Sequence, residues 1–507
     1  MKGWKSIGAV LCIMFMIACS PRTEYTHALP KDASLVVSAD LASMANKSKL
    51  NDDIIQKLGT LIRESMPDDA SGLADKIMED PSETGLSFTD KVYFFATPHA
   101  NAIGMVARVE SESKVKRLFG MLEESHLCAP PTEESGCQWV EIGNSICAFN
   151  NGTFLLMHNR TGGVGNIKGI LFSLMRQKEG EGFSASEDFG QLSTSNTDIA
   201  LLTDFSLMPD KFTTPLRMGL PADIRMEDIR YIVTANFEKG RIHIEAANAT
   251  HNEAVQAFYQ WMEDITQPVH GRFMAGYPAN TLMWAGMNTN GKELYTTLCK
   301  NPSIRQYMNN PTLPVDVERI FTAINGDICI GMPSIADGGW ISYAEVNGKD
   351  FLETFEELRP LLAMTGGQVT LHDTAPDQYA LQTYNAVYWF GVKDDVFYVT
   401  NRKRMAVEAG RMYGVSLAGR PWAEETRKSR LSASFNSTTL ATELDEYPQL
   451  IRLLVPGSAG NIVKVLANKC QDITLNSDKW GKVTLDIHIK DKQANVLETL
   501  AKTIGKL

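Results

Sequence analysis

The sequence lacks the short signatures that announce chemistry. It contains no His-Glu-x-x-His, Cys-x-x-Cys, Gly-x-Ser-x-Gly or Walker loop, so it places no zinc protease site, dithiol, hydrolase elbow or nucleotide cradle. Cysteine is scarce: eight among 507 residues cannot form a disulfide framework for so long a chain. Positive charge is not in excess. The net charge is −11, or −13 once Lys2 and Lys5 are set aside, which disfavours electrostatic capture of nucleic acid or anionic lipid. Only one long apolar run is present, Ile7 to Ala18, and its 12 residues fall short of the ~20 that span a bilayer as a helix.

That run has the layout of an export signal. Lys2 and Lys5 precede it and small Ala18 stands before Cys19. Met16-Ile17-Ala18-Cys19 resembles the lipobox of bacterial lipoproteins, which implies a signal peptide over 1–18 and a mature N-terminus acylated at Cys19, palmitate included. Ser20 is not the aspartate that retains such proteins at the inner membrane, and Pro21-Arg22-Thr23 is not an acidic surface-export tag. By that resemblance the protein is lipid-anchored at the outer membrane, facing the periplasm. A spacer over 19–28 would reach at most ~35 Å, so the body lies close to the bilayer.

Internal repetition organises the rest. "LPKDASLVVSADL" from Leu29 answers to "YPANTLMWAGMN" from Tyr277, each a proline, a polar turn and an apolar strand. "DKVYFFATPHANAIGMVARVES" from Asp90 answers to "GDICIGMPSIADGGWISYAEVN" from Gly326, two strands leading into an amphipathic helix. Val115, Leu118, Phe119 and Leu122 share a face of the first helix; Phe351, Phe355, Leu358 and Leu362 share one in the second. "SICAFNNGTFLLMHN" and "YWFGVKDDVFYVTN" then read as hairpins around Asn151-Gly152 and Asp394-Asp395. Both copies close with a hairpin and a helix.

Strand pairs with short turns imply antiparallel sheets with helices on one face, an α+β class in two tandem homologous domains. The first repeat is expected over 29–265 with a helical insertion at about 52–79, a linker over 266–276, and the second repeat over 277–507. "YTHALPKDASLVVSADLASMANKSKL" followed by "DPSETGLSFTDKVYFF" resembles an uncharacterised family of large Bacteroidetes lipoproteins, a domain of unknown function of about 500 residues. The resemblance implies this address and fold, and carries over no activity or site residue.

Candidate sites are few. "RTGGVGNIKG", Arg160 to Gly169, reads as a strand-to-helix turn, lacking the Gly-Lys-Ser/Thr ending of a nucleotide loop. His243, Glu245 and His251 raise a metal site, but the equivalent Lys482, Thr484, Asp486 and His488 read as a solvated sheet face, and neither metal nor cofactor is expected. Cys128 and Cys137 bracket a polar loop and form a candidate disulfide. Cys147 and Cys329 read as small buried hydrophobes. Tyr388, Trp389 and Phe390 are a candidate aromatic contact surface or core filling, with alternation placing Trp389 opposite the other two.

Two functions follow from this reading. One is a non-enzymatic envelope lipoprotein that binds an envelope protein or a glycan. The other is an envelope hydrolase acting on glycan or peptide, with residues assembled from distant segments. Replacing Cys19→Ala is expected to abolish acylation and normal signal cleavage. Mass spectrometry of the wild-type N-terminus checks this, and acyl-free protein that washes from membranes in buffer overturns it.

Overall fold

The computed structural model describes residues 24–50, 80–97, 101–178, 180–207, 224–308, 316–449 and 460–504. The signal peptide expected over 1–18, Cys19 and the insertion expected over 52–79 lie outside them. The folded body begins within the expected spacer: Glu24–Ala28 is a 3-10 turn whose Tyr25 is buried, its hydroxyl donating to Lys91 O at 2.6 Å.

The protein is a mixed α/β structure whose strands pair antiparallel. In chain order the first ten are β1 (Leu35–Ala39), β2 (Val92–Thr97), β3 (Ala102–Arg108), β4 (Thr132–Glu134), β5 (Cys137–Ile142), β6 (Ser145–Phe149), β7 (Thr153–Asn159), β8 (Ile199–Asp204), β9 (Arg230–Phe237) and β10 (Arg241–Asn248). Their order across the sheet is β4-β5-β6-β7-β3-β2-β1-β8-β9-β10. After the two-residue β11 (Thr266–Gln267) come β12 (Met283–Asn290), β13 (Ile324–Met332), β14 (Ile341–Val346), β15 (Thr370–Ala375), β16 (Gln378–Gln382), β17 (Val387–Lys393), β18 (Val396–Thr400), β19 (Leu431–Phe435), β20 (Cys470–Lys479) and β21 (Lys482–Ile489). These run β15-β16-β17-β18-β14-β13-β12-β19-β20-β21. The two orders coincide strand for strand.

Local chemistry explains the hairpins. Asn150 Oδ1 accepts the N–H groups of Gly152 and Thr153 and so turns β6 into β7. Asp394 and Asp395 both take positive φ, 52° and 57°, the backbone that a tight two-residue hairpin demands. The expected face of helix Glu112–Glu124 is its buried face, with Val115, Leu118, Phe119 and Leu122 in one core. In the later segment the expected long helix is divided into Asp350–Leu352, Glu353–Glu356 and Arg359–Ala363, the last break falling where Pro360 cannot donate to a continuing helix. Phe351 is still buried, with Phe355 and Leu362 packed on its cluster.

The compact units divide the chain differently from the expected boundaries. One gathers the described residues within 1–207, 230–244 and 491–507, the other those within 208–229 and 245–490. Helix Glu253–Ile265, read as the close of the first repeat, belongs to the second unit. Arg430 Nη1 donates to Glu263 O at 3.0 Å, and Trp480 Nε1 to Thr266 Oγ1 at 2.8 Å. The expected linker over 266–276 is built into that unit: β11 pairs with β12, and Phe273 and Met274 enter its core.

Helix Val496–Ile504 conversely belongs to the first unit. Asn495 Nδ2 donates to Phe237 O at 2.7 Å and Val496 N–H to Glu238 O at 3.0 Å. Glu498 meets Lys502 at 2.7 Å and Lys49 at 2.9 Å, which lowers its carboxyl to about 2. Ending the chain at Lys490 is therefore expected to destabilise the first unit by at least about 2 kcal/mol, the scale for exposing one buried aliphatic side chain such as Val496. Hydrogen exchange should lose protection in helix Leu41–Ser48 and β9 while β12 to β14 keep theirs.

Candidate functional site

An apolar trough of ≈ 390 Å³ opens on the second unit's sheet. Its form follows from cross-strand register. One row of side chains runs Leu475, Ala433, Ala285, Ile330, and the next runs Ile473, Phe435, Met283, Met332. The paired alanines of β12 and β19 lower the floor, while the larger side chains stand around it. Trp340 completes the rim, and Met283 and Ile330 are 47% and 48% exposed. Exposed aliphatics at that level in a contiguous hollow are what a ligand site leaves uncovered.

The opposite face of the same strands is core. Trp284 is buried beneath the trough, its indole lying over Gly286, where an added Cβ would meet Cη2 at 2.7 Å. Tyr277 lies over Gly331 in the same way, with its hydroxyl donating to Ile341 O at 2.9 Å. Both glycines are required by aromatic side chains that leave no room for a Cβ.

Ser145 Oγ and His158 Nδ1 lie 3.0 Å apart as a cross-strand pair of β6 and β7. Ser145 is 1% exposed and His158 9%, so the hydroxyl cannot meet a substrate. Burial holds the His158 imidazole below its ordinary pKa, in keeping with a neutral hydrogen-bonded ring.

His270, Asp327 and Glu345 form a group of metal-ligand type that sequence reading did not find. His270 Nδ1 is 3.4 Å from Glu345 Oε2 and 3.9 Å from Asp327 Oδ1. Buried Asp327 already accepts the N–H groups of His270 and Gly271 at 2.9 and 2.8 Å and Asn288 Nδ2 at 3.0 Å. Glu345 Oε2 accepts the Asp327 N–H at 3.1 Å, and Arg272 stands 3.6 Å from Oε1. These contacts pin the turn within the second unit, and Arg272 already stands beside Glu345 as a fixed positive charge. Among the described residues His243, Glu245 and His251 are not part of such a group, and Glu245 instead pairs with Lys482 at 3.3 Å.

The structure does not join Cys128 to Cys137. Cys128 Sγ lies 3.7 Å from Phe119 O, and Cys137 Sγ 3.3 Å from Glu134 O, as separate thiols. Burial and then Glu123 push the Cys128 thiol up to about 11, and burial and then Glu134 raise that of Cys137, so neither forms the reactive thiolate easily. Cys147 and Cys329 are buried as expected.

Tyr388, Trp389 and Phe390 do not converge on one platform. Phe390 is buried against Phe355 and Tyr379 with ring centroids 4.5 and 5.4 Å away, Trp389 packs on the opposite core, and Tyr388 pairs with Trp340 at 6.3 Å. In the loop Arg160 to Gly169, Asn159 accepts the Thr161 N–H and donates to Gly163 O, which makes it a side-chain-stapled turn into helix Gly165–Met175.

A domain of unknown function, DUF4836, matches residues 25–497. The chain belongs to that family. Among curated proteins none matches. Solved structures of TP0453 are similar over half of this chain: crystal form III at 12% identity and TM-score 0.30, covering 49% of this chain and 89% of that one, and crystal form I at 10% and 0.29, covering 48% and 88%.

The buried His158 generates a pH prediction. A ring whose protonation is disfavoured by burial binds fewer protons folded than unfolded, so stability falls as pH drops below the ordinary imidazole value of about 6.5, until the lowered folded value is reached. The melting temperature of the wild type is expected to fall more between pH 7.5 and 5.5 than that of His158→Asn. Equal falls would show that this histidine is not responsible.

Proposed function

We propose that this DUF4836 member is a lipid-anchored envelope protein that works by binding rather than catalysis, and that the trough on the second unit is its binding site. One observation carries this: the lining combines Met283, Ile330, Met332, Trp340, Phe435 and Leu475 with no acid, base or cation, and its one hydroxyl is that of Ser434. Such a surface offers little to a glycan, whose recognition needs several hydrogen-bonding groups, or to a hydrolytic mechanism, which needs a base. It suits an uncharged aliphatic chain, such as that of an envelope lipid. At about 30 Å³ per water-sized group the trough takes a dozen or so, the scale of a medium-length acyl chain. Methionine at two lining positions lets the surface adapt to its occupant.

The lipid anchor rests on the Lys2, Lys5 and Ala18-Cys19 pattern, and the outer-membrane address on Ser20. The folded turn at Glu24 shortens the tether: five residues from Cys19 reach at most about 18 Å. We also propose that the two strand sets descend from a tandem duplication. Their identical order over ten strands supports it. The trough would then be a specialisation of the second copy.

Filling the floor tests the site. Ala433→Leu is expected to reduce binding of a spin-labelled lauroyl probe at least tenfold while moving the melting temperature by only a few degrees, since the added side chain projects into open space. Wild-type protein that does not take up the probe, or a variant that binds it equally, would sink the proposal.

A further inference from the structure

From the segment after β18 we propose a second contact surface, one that docks on an anionic bilayer face. It rests on the lipid-anchored reading above but on different residues from the trough. Residues 402–416 follow β18 as a short helix, Lys403–Val407, and a tight turn. Ala406 and Ala409 are buried in the core shared with Tyr277 and Leu417, and Lys393 Nζ ties down the turn by donating to Ala409 O at 3.0 Å. Tyr413 N–H donates to Ala275 O at 2.9 Å, and Ala279 N–H to Val415 O at 3.1 Å. The backbone is therefore held at both ends.

What the anchored backbone turns outward is unusual for a soluble surface. Val407 is 73% exposed, Met412 64% and Val415 78%, three aliphatic side chains within nine residues. Lys403, Arg404 and Arg411 are exposed among them. The stretch carries four basic residues against one acid, Glu408, which Arg411 meets at 3.3 Å; Arg402 pairs with Asp337 at 3.5 Å, so Lys403 and Arg404 supply the excess charge. In a chain of net charge −11 this is a local reversal of sign.

Bulk charge argues against attraction to anionic lipid, but the field that matters within a Debye length, about 8 Å at physiological salt, is that of the nearest groups. Aliphatic tips among Lys and Arg match an interface where headgroup phosphates pair with the cations and the tips enter the acyl boundary. A protein partner would have to supply both an acidic rim and an apolar centre, whereas an anionic leaflet has both. Each basic residue near such a surface adds a modest attraction, too little to hold the protein alone but enough to orient one already tethered.

The test uses the full acylated chain with Met412→Cys carrying an environment-sensitive nitrobenzoxadiazole label, wild type labelled in parallel giving the background. Vesicles are phosphatidylethanolamine alone or with about one third phosphatidylglycerol. Flotation with the neutral vesicles reports the anchor; label fluorescence, and its quenching by nitroxide lipid, reports the loop. The expected result is a blue-shifted, lipid-quenched label in anionic vesicles, reversed by 0.5 M salt and reduced at least fivefold by Lys403→Glu, Arg404→Glu and Arg411→Glu together. A label that stays in water on anionic vesicles, or that enters neutral vesicles equally, overturns the proposal even when the anchor holds. If the chain proves unacylated and does not float with anionic vesicles, the proposal fails as well.

Discussion

The pleat of β12 is the constraint on which the second unit's architecture rests. Hydrogen-bonded to β13 on one side and β19 on the other, this strand cannot rotate, so successive side chains must go to opposite faces. Trp284, Gly286 and Asn288 are buried on one face, while Met283, Ala285 and Met287 lie on the other. Core and trough are thus two readings of one strand. A slip of one residue in β12 against its neighbours would turn Trp284 into the trough and Met283 into the core.

Buried carboxylates fasten the connections around these sheets. Asp198, 1% exposed, accepts both Lys47 Nζ at 2.7 Å and Ser43 Oγ at 2.6 Å, as well as the Phe237 N–H at 2.7 Å. Asp472 is paired with Arg420 at 2.9 Å and with His488 at 2.8 Å. Asp327 holds the His270-Gly271 turn by two backbone N–H donors and accepts a third hydrogen bond from Asn288 Nδ2. A buried charge is tolerated only when its lone pairs are filled, so each of these residues fixes the position of segments far away in the chain. That accounts for the acidic residues buried in these cores. It also accounts for His270 and Glu345, whose proximity follows from the turn that Asp327 anchors.

Much of the fold was legible in the sequence because its causes are local. Alternation at period two marks most of the strands, and Asn150-Asn151-Gly152 and Asp394-Asp395 supply the backbone of their turns. The apolar stripe of Glu112–Glu124 buried itself as its spacing required. Legibility stopped where a helix chooses a partner. The periodicity of Glu253–Ile265 and Val496–Ile504 shows that each must bury a face, but only Arg430, Trp480 and Asn495 decide against which sheet. Pro360 was visible, yet its power to divide the segment after Lys349 became evident only with the packing.

The sequence by itself determined the kind of element and the tight turns that join neighbouring strands into hairpins, since these depend on residues within a few positions of one another. The tertiary structure alone decided the sites. Ala285 and Ala433 are ordinary alanines until the β12–β19 register sets them side by side. Ser145 and His158 make an apparent catalytic pair whose burial removes it from use, and Cys128 and Cys137 flank a loop without being joined. Nothing in the sequence sets Val407, Met412 and Val415 apart until the anchoring of Ala406 and Ala409 leaves them exposed. Each outcome depends on which distant residue occupies the neighbouring strand or pocket, and that is set by long-range packing rather than by any local pattern.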